Sequence, residues 1–160
     1  MSKTKSILKR FAKALKYTLL TDLKVKAEGT EHSFDHVLVG NFGVLCVRVI
    51  DEMGEVYGSE NDQNFVVVDR KLNRTKTENY VKKSMLDGEV LRKIISKEKI
   101  YNVKIDTLIA IDNKLCKPMI SAPNCVIVHF NQLAKLLNSR YDKEDKTDVN
   151  AVLAALENAK

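Results

Sequence analysis

The feature that most constrains this chain is an apolar run at 44–50, seven residues long, in which Arg48 is the one charged residue. Such continuous apolarity is typical of a central strand that other elements cover on both faces. An arginine in that strand needs a carboxylate partner, because burying an unpaired charge has a large desolvation cost. Asp35, on the preceding predicted strand, is the natural candidate. The alternative is that Arg48 lies near a sheet edge and extends to water.

The segments around this run alternate between strand and helix patterns. Residues 6–17 have the apolar spacing of an amphipathic helix, and 76–96 predicts a long polar helix. Further strands are predicted at 18–26, 34–39, 55–57, 64–69, 103–111 and 125–129, and further helices at 131–138 and after a cap at Thr147 or Asp148. Early strands, a crossover helix, two more strands and terminal helices predict an α/β fold with a mixed central sheet flanked by helices.

Length and composition favour one domain. With 160 residues and 44% hydrophobic content, the chain is long enough for one packed core and short for two. We expect a basic helix at 1–17, an α/β core at 18–141 and a C-terminal helix at 147–159. The apolar stretches fall short of the ~18 residues of a membrane span. Three cysteines without CxxC spacing predict reduced thiols, so we expect a soluble, cytoplasmic protein.

The basic excess is concentrated at one end of the chain. Residues 1–26 contain eight Lys or Arg and one acid, whereas the other 134 residues contain 19 basic and 20 acidic groups. This asymmetry favours a local surface for DNA or RNA, and contact with an anionic membrane is a weaker alternative. The candidate phosphate-binding residues are Lys3, Lys5, Lys9, Arg10, Lys13 and Lys16, extended by Lys82, Lys83, Arg92 and Lys93. The alternative is that these side chains form the solvated face of a packed helix.

Three segments resemble the nuclease-related domain family, a branch of the PD-(D/E)XK nuclease superfamily. They are FDHVLV at 34–39, GVLCV at 43–47 and GEVYG at 54–58, and 79–83 resembles the start of a family helix. The resemblance covers most of the chain and implies a restriction-endonuclease-like core. It also implies a site in which a strand aspartate and a Glu-x-Lys motif on the next strand hold a divalent ion and activate water for phosphodiester hydrolysis.

Several positions of that motif carry other residues here. Counting from Gly43, the glutamate falls on Arg48 and the lysine on Ile50. Asp35 and Asn79 match the family pattern, whereas its helix glutamine falls on Lys83. The resemblance therefore implies an inactive pseudo-nuclease, without a cofactor, that acts as a nucleic-acid-binding or interaction module.

Two other functions stay open. Asp51, Glu52 and Glu55 follow the apolar strand and, with Asp35, could hold Mg²⁺ or Mn²⁺ in a rearranged nuclease site. Acids in a turn are, however, more often simply solvated. Alternatively, the segment 51–64 or the C-terminal helix binds a protein partner, and the domain does not bind nucleic acid.

Overall fold

The computed structural model describes residues 2–160, which form four helices and nine strands. The helices are α1 (Lys3–Leu15), α2 (Tyr80–Lys97), α3 (Phe130–Arg140) and α4 (Val149–Asn158). The strands are β1 (Thr18–Ala27), β2 (Thr30–Gly40), β3 (Gly43–Ile50), β4 (Gly54–Ser59), β5 (Asn64–Val68), β6 (Arg74–Glu78), β7 (Ile105–Ile111), β8 (Cys116–Ser121) and β9 (Ile127–His129).

The strands form two mixed sheets. The larger has the order β1-β2-β3-β7-β9, antiparallel from β1 to β3 and parallel from β3 to β9. The smaller has the order β6-β5-β4-β8, in which β4 and β8 are parallel. The α/β class with a mixed sheet flanked by helices is confirmed, but the strands divide between two sheets where one was predicted. The chain passes from the larger sheet to the smaller one after β3. β4 pairs with β5 and β8, and it pairs with no strand of the larger sheet.

Helices cover both faces of the larger sheet. Leu45 and Val47 of β3 pack with α1 and α3, whereas Val44 and Cys46 pack with α2 and α4. Alternate residues of β3 therefore face two separate apolar layers, which explains why its sequence is apolar throughout.

Two strands depart from the sequence prediction. β6 lies where the helix at 76–96 was expected to begin, and that helix starts at Tyr80, capped by Asn79. The Asn79 side-chain oxygen accepts the N–H groups of Val81 and Lys82 at 3.0 and 3.1 Å. β8 was not predicted, because Pro118 interrupts the strand pattern, and it is tolerated at the edge of the smaller sheet.

Cys46, Cys116 and Cys125 are free thiols, the first two buried and the third half-buried. Burial raises the pKa of all three, and for Cys116 to about 11. Within residues 2–160, every helix is too short or too polar to cross a bilayer.

Candidate functional site

The pairing of β2 with β3 brings Asp35 next to Arg48. At one end of this pairing, His36 lies opposite Val47. The next residue along each strand is Asp35 on β2 and Arg48 on β3. Asp35 Oδ1 lies 3.3 Å from Nη1 of Arg48, which confirms the predicted ion pair. Asp35 Oδ2 accepts the backbone N–H of Val49 at 2.9 Å. Both carboxylate oxygens therefore already have donors, although the Asp35 side chain is 35% exposed.

The main partner of Arg48 is Asp87 on α2. Arg48 Nε donates to Asp87 Oδ2 at 3.0 Å, and Nη2 donates to Asp87 Oδ1. Nη2 also donates to the Ser33 carbonyl at 2.9 Å. Arg48 is 4% exposed and Asp87 is fully buried, so the paired contact compensates two charges that water cannot reach. The alternative in which Arg48 extends to water at a sheet edge is therefore wrong.

His32 completes this group, which we call the Asp87 cluster: His32, Asp35, Arg48 and Asp87. His32 Nε2 lies 2.6 Å from Asp87 Oδ1, and its ring meets Phe34 edge-on with 4.6 Å between centroids. Burial lowers the pKa of the Arg48 guanidinium, but the hydrogen bonds and charge of Asp87, together with the charge of Asp35, outweigh it and leave the pKa raised. The cluster therefore contains a permanent buried cation.

The sequence prediction missed Asp87 because it considered only apolar side chains for the buried side of this helix. Of these, Val81 and Leu91 are buried, whereas Met85 is 56% exposed. The buried face also contains Ser84 and Asp87, which continue the three- and four-residue spacing of a helix face. The sequence signal that could have identified Asp87 is an acidic residue at the spacing of the buried apolar residues.

The other motif positions have structural contacts. Ile50 is fully buried and packs in an apolar cluster with Val56, Phe65 and Tyr80. Asn79 caps α2, and its Nδ2 donates to the carbonyls of Ser59, Glu60 and Asp62 at 3.2, 3.3 and 2.7 Å. Lys83 Nζ lies 3.4 Å from Glu78 Oε2. Of the five motif positions, Asp35 and Arg48 are thus in contact, Ile50 lies in the core, Asn79 caps α2, and Lys83 has one exposed ion pair.

The acids of the rearranged metal site bind different partners. Asp51 accepts from the Asn113 amide at 3.5 Å, Glu52 from the Tyr80 hydroxyl at 2.9 Å, and Glu55 from the Tyr57 hydroxyl. Burial and the neighbouring Glu52 raise the pKa of Tyr80 to about 12. Across residues 2–160, no group of three or more His, Cys, Asp or Glu side chains is arranged to hold a metal ion.

A cavity of about 310 Å³ lies beside Asp35, at the N-terminal end of α1. The backbone N–H of Thr4 donates to Asp112 Oδ1 at 2.6 Å, which fixes this end of the helix near the end of β7. Burial lowers the pKa of His36 in this cavity, although the charges of Asp35 and Asp22 oppose the shift. The residues that line the cavity are Ser2, Lys5, Thr21, Asp22, Asp35, His36 and Val49. The basic helix and the motif aspartate therefore share one surface.

Most of the basic side chains of α1 point to solvent. Lys3, Lys9, Arg10, Lys13 and Lys16 are exposed and Lys5 is half-buried. Within residues 2–160, none of these six lies within 4.0 Å of an acidic group. Lys3 Nζ lies 4.4 Å from the ring centroid of Phe130.

The predicted extension of this row lies apart from it, because α1 and α2 cover opposite faces of the larger sheet. The residues of that extension, Lys82, Lys83, Arg92 and Lys93, all belong to α2. Lys93 there lies 3.4 Å from Glu28.

Comparison with known protein families gives a match. A sequence model of the nuclease-related domain matches residues 2–111, more than half of the chain and all of α1 through β7. That range includes every residue of the Asp87 cluster. Neither the curated proteins nor the solved structures include a significant match to the chain. On the family match, this chain belongs to the nuclease-related domain family.

Proposed function

We propose that this nuclease-related domain binds nucleic acid without cleaving it. The observation that carries the proposal is Arg48, whose guanidinium lies between Asp35 and Asp87. The family resemblance implies a glutamate at this position and a divalent cation beside Asp35. Here a permanent cation is already in contact with that carboxylate, and Ile50 takes the place of the motif lysine.

The charge of Arg48 opposes metal capture. Two unit charges about 4 Å apart interact by roughly 4 kcal/mol at an effective dielectric near 20. A divalent ion doubles this repulsion, and the charge of Asp87, the main partner of Arg48, offsets part of it. Mg²⁺ and Mn²⁺ prefer several oxygen ligands, and both oxygens of Asp35 already accept other donors. Ile50 also supplies no ammonium group to stabilise charge on a reacting phosphate. Weaker metal binding and the missing lysine both act against hydrolysis.

The basic helix supports the binding half of the proposal. Its six cations at 3–16 extend over roughly 20 Å of helix, at a rise of about 1.5 Å per residue. Unpaired surface lysines and arginines neutralise phosphates and release counterions, which gives salt-sensitive binding without base recognition. Lys5 lines the same cavity as Asp35, so a strand held by α1 would pass the motif aspartate.

The test combines a cleavage assay with binding measured over a range of salt. We expect no cleavage of circular DNA, linear DNA or RNA in Mg²⁺ or Mn²⁺. For a single strand contacting all six cations, we expect log Kobs to fall with log[salt] with a slope of about −4. Charge reversal at Lys9, Arg10 and Lys13 should reduce the magnitude of that slope by about 2.

The matched control is reversal of Arg92, Lys93 and Lys97 to glutamate, which changes the net charge equally on the opposite face of the sheet. This control should retain more affinity than the α1 variant. Cleavage that disappears on Asp35→Ala would instead show an active nuclease. Equal affinity of the α1 variant and the unmodified protein, or no binding at low salt, would favour a protein-interaction module.

A further inference from the structure

A second cavity, of about 430 Å³, lies on the α2 face of the molecule, and neither Asp35 nor Arg48 lines it. Its walls come from α2, from the start of β7 and from the segments that precede β5 and β9. The residues used below are Asn61, Val81, Ser84, Thr107, Asn124 and Cys125. None of them belongs to the Asp87 cluster or to the basic helix.

Ser84 gives the clearest sign that this cavity takes a ligand. It is 1% exposed, and its hydroxyl has no hydrogen-bond partner within residues 2–160. Buried hydroxyl groups are normally paired, because an unpaired one loses its bonds to water without replacement. Because Ser84 lines the cavity, a bound molecule whose donor or acceptor reaches this hydroxyl would supply the missing bond.

The walls of the cavity are held by hydrogen bonds. The Asn79 amide donates to three carbonyls of the 59–62 segment, which carries Asn61. On the other side, the Cys125 N–H donates to the Ala122 carbonyl at 3.1 Å and the Ile109 N–H to the Val126 carbonyl at 2.9 Å. The cavity is therefore formed without a ligand, as is usual for small-molecule sites.

The lining identifies the class of ligand. Ser84 and Thr107 offer hydroxyl groups, Asn61 and Asn124 offer amides, and Val81 offers an apolar surface; the lining also includes Met85 and the carboxylate of Glu60. Hydrogen-bond donors and acceptors beside an apolar wall suit a flat heterocycle that has both groups on its edge. Lys82 also lines the cavity, with its Nζ 3.4 Å from the Asn61 carbonyl, where it can approach a phosphate. We propose that this cavity binds one unstacked nucleobase, from a mononucleotide or from a single strand.

Cys125 allows a direct test, because it is the half-buried thiol in the cavity while Cys46 and Cys116 are buried elsewhere. Thiol labelling is followed by mass spectrometry at pH 8.5, since burial raises the pKa of Cys125. The probes are the nucleoside monophosphates, a single-stranded oligonucleotide and inorganic phosphate. We expect at least one mononucleotide, or the oligonucleotide, to slow Cys125 labelling about tenfold at saturation, and phosphate to have no effect.

Ser84→Ala separates a ligand-binding hydroxyl from a structural one. Because this hydroxyl has no partner in the free protein, the urea midpoint should stay the same or rise. Affinity for the protecting nucleotide should fall about three- to tenfold, the effect of one hydrogen bond. Unchanged affinity would overturn the role of Ser84.

The two proposals fail separately. If no probe protects Cys125 while strands still bind through α1, the cavity proposal is overturned and the proposed function stands. If mononucleotides protect Cys125 but strands do not bind at low salt, the cavity proposal stands and the proposed function fails. Protection by the oligonucleotide alone identifies a strand, not a free mononucleotide, as the source of the base.

Discussion

Asp87 accepts hydrogen bonds from two buried side chains, Arg48 and His32, where α2 crosses β3. Asp35 is only a second partner for Arg48, through one contact at 3.3 Å on a side chain that is partly open to solvent. Removing one member of a buried ion pair leaves the other charge uncompensated, whereas replacing both by apolar groups is often neutral. The stability of this site should therefore depend more on Asp87 than on Asp35.

We predict that Asp87→Asn lowers the free energy of unfolding by about 3 kcal/mol, because Arg48 stays buried with Asp35 as its remaining anion. Urea denaturation followed by far-UV circular dichroism measures the change. The control is the double variant Arg48→Met/Asp87→Leu, which removes both charges and should recover most of the loss. A loss under 1 kcal/mol for Asp87→Asn would mean that Asp35 and Ser33 alone satisfy Arg48.

At the scale of elements, α2 packs closely on β7 at Gly88. A Cβ built on Gly88 would lie 3.2 Å from Cγ2 of Thr107, which is tighter than ordinary van der Waals contact. Glycine within a helix costs about 1 kcal/mol relative to alanine. Here the absence of a side chain allows α2 to approach the sheet, close to the position where Asp87 reaches Arg48.

Gly88→Ala should therefore stabilise the protein only when Thr107 loses its methyl group. In the unmodified chain, the gain in helix propensity is offset by the contact with Cγ2, so we expect a change near zero or a loss. In a Thr107→Ser background, the same substitution should raise the free energy of unfolding by about 1 kcal/mol. The measurement is a double-mutant cycle: urea denaturation of the unmodified protein, the two single variants and the double variant. An equal effect of Gly88→Ala in both backgrounds would exclude Thr107 as the limiting contact.

The elements that could be predicted from the sequence are those whose buried faces leave a recognisable pattern of apolar residues. α1 has an apolar stripe, and β3 is apolar because both of its faces are covered. β6 is an exposed edge strand with only polar residues, and it therefore has no apolar alternation to recognise.

The contact between Asp35 and Arg48 could be predicted because a short turn joins their strands. Asp87 lies 39 residues beyond Arg48, so its contact depends on where α2 crosses the sheet.

At the scale of the whole molecule, the residues beyond the family match complete both apolar layers. Leu133 and Leu137 of α3 pack with α1 on one face of the larger sheet, and Val152 and Leu156 of α4 pack with α2 on the other. β9 adds a parallel strand to β7, and β8 does the same for β4. The segment at 2–111 therefore lacks a strand of each sheet and one helix of each layer.

We predict that a protein comprising residues 2–111 alone does not unfold cooperatively, although it contains every residue of the Asp87 cluster. Its larger sheet would expose apolar surface that α3 and α4 cover in the full chain, and burial of such surface is the main favourable term in folding. Urea denaturation should show one sharp transition for the full chain and a gradual change for the fragment. As matched controls in the full chain, Leu133→Ala and Leu156→Ala, one on each face, should each cost about 2–5 kcal/mol. A cooperative transition of the fragment near the midpoint of the full chain would contradict the prediction, because α3 and α4 would then contribute little to the core.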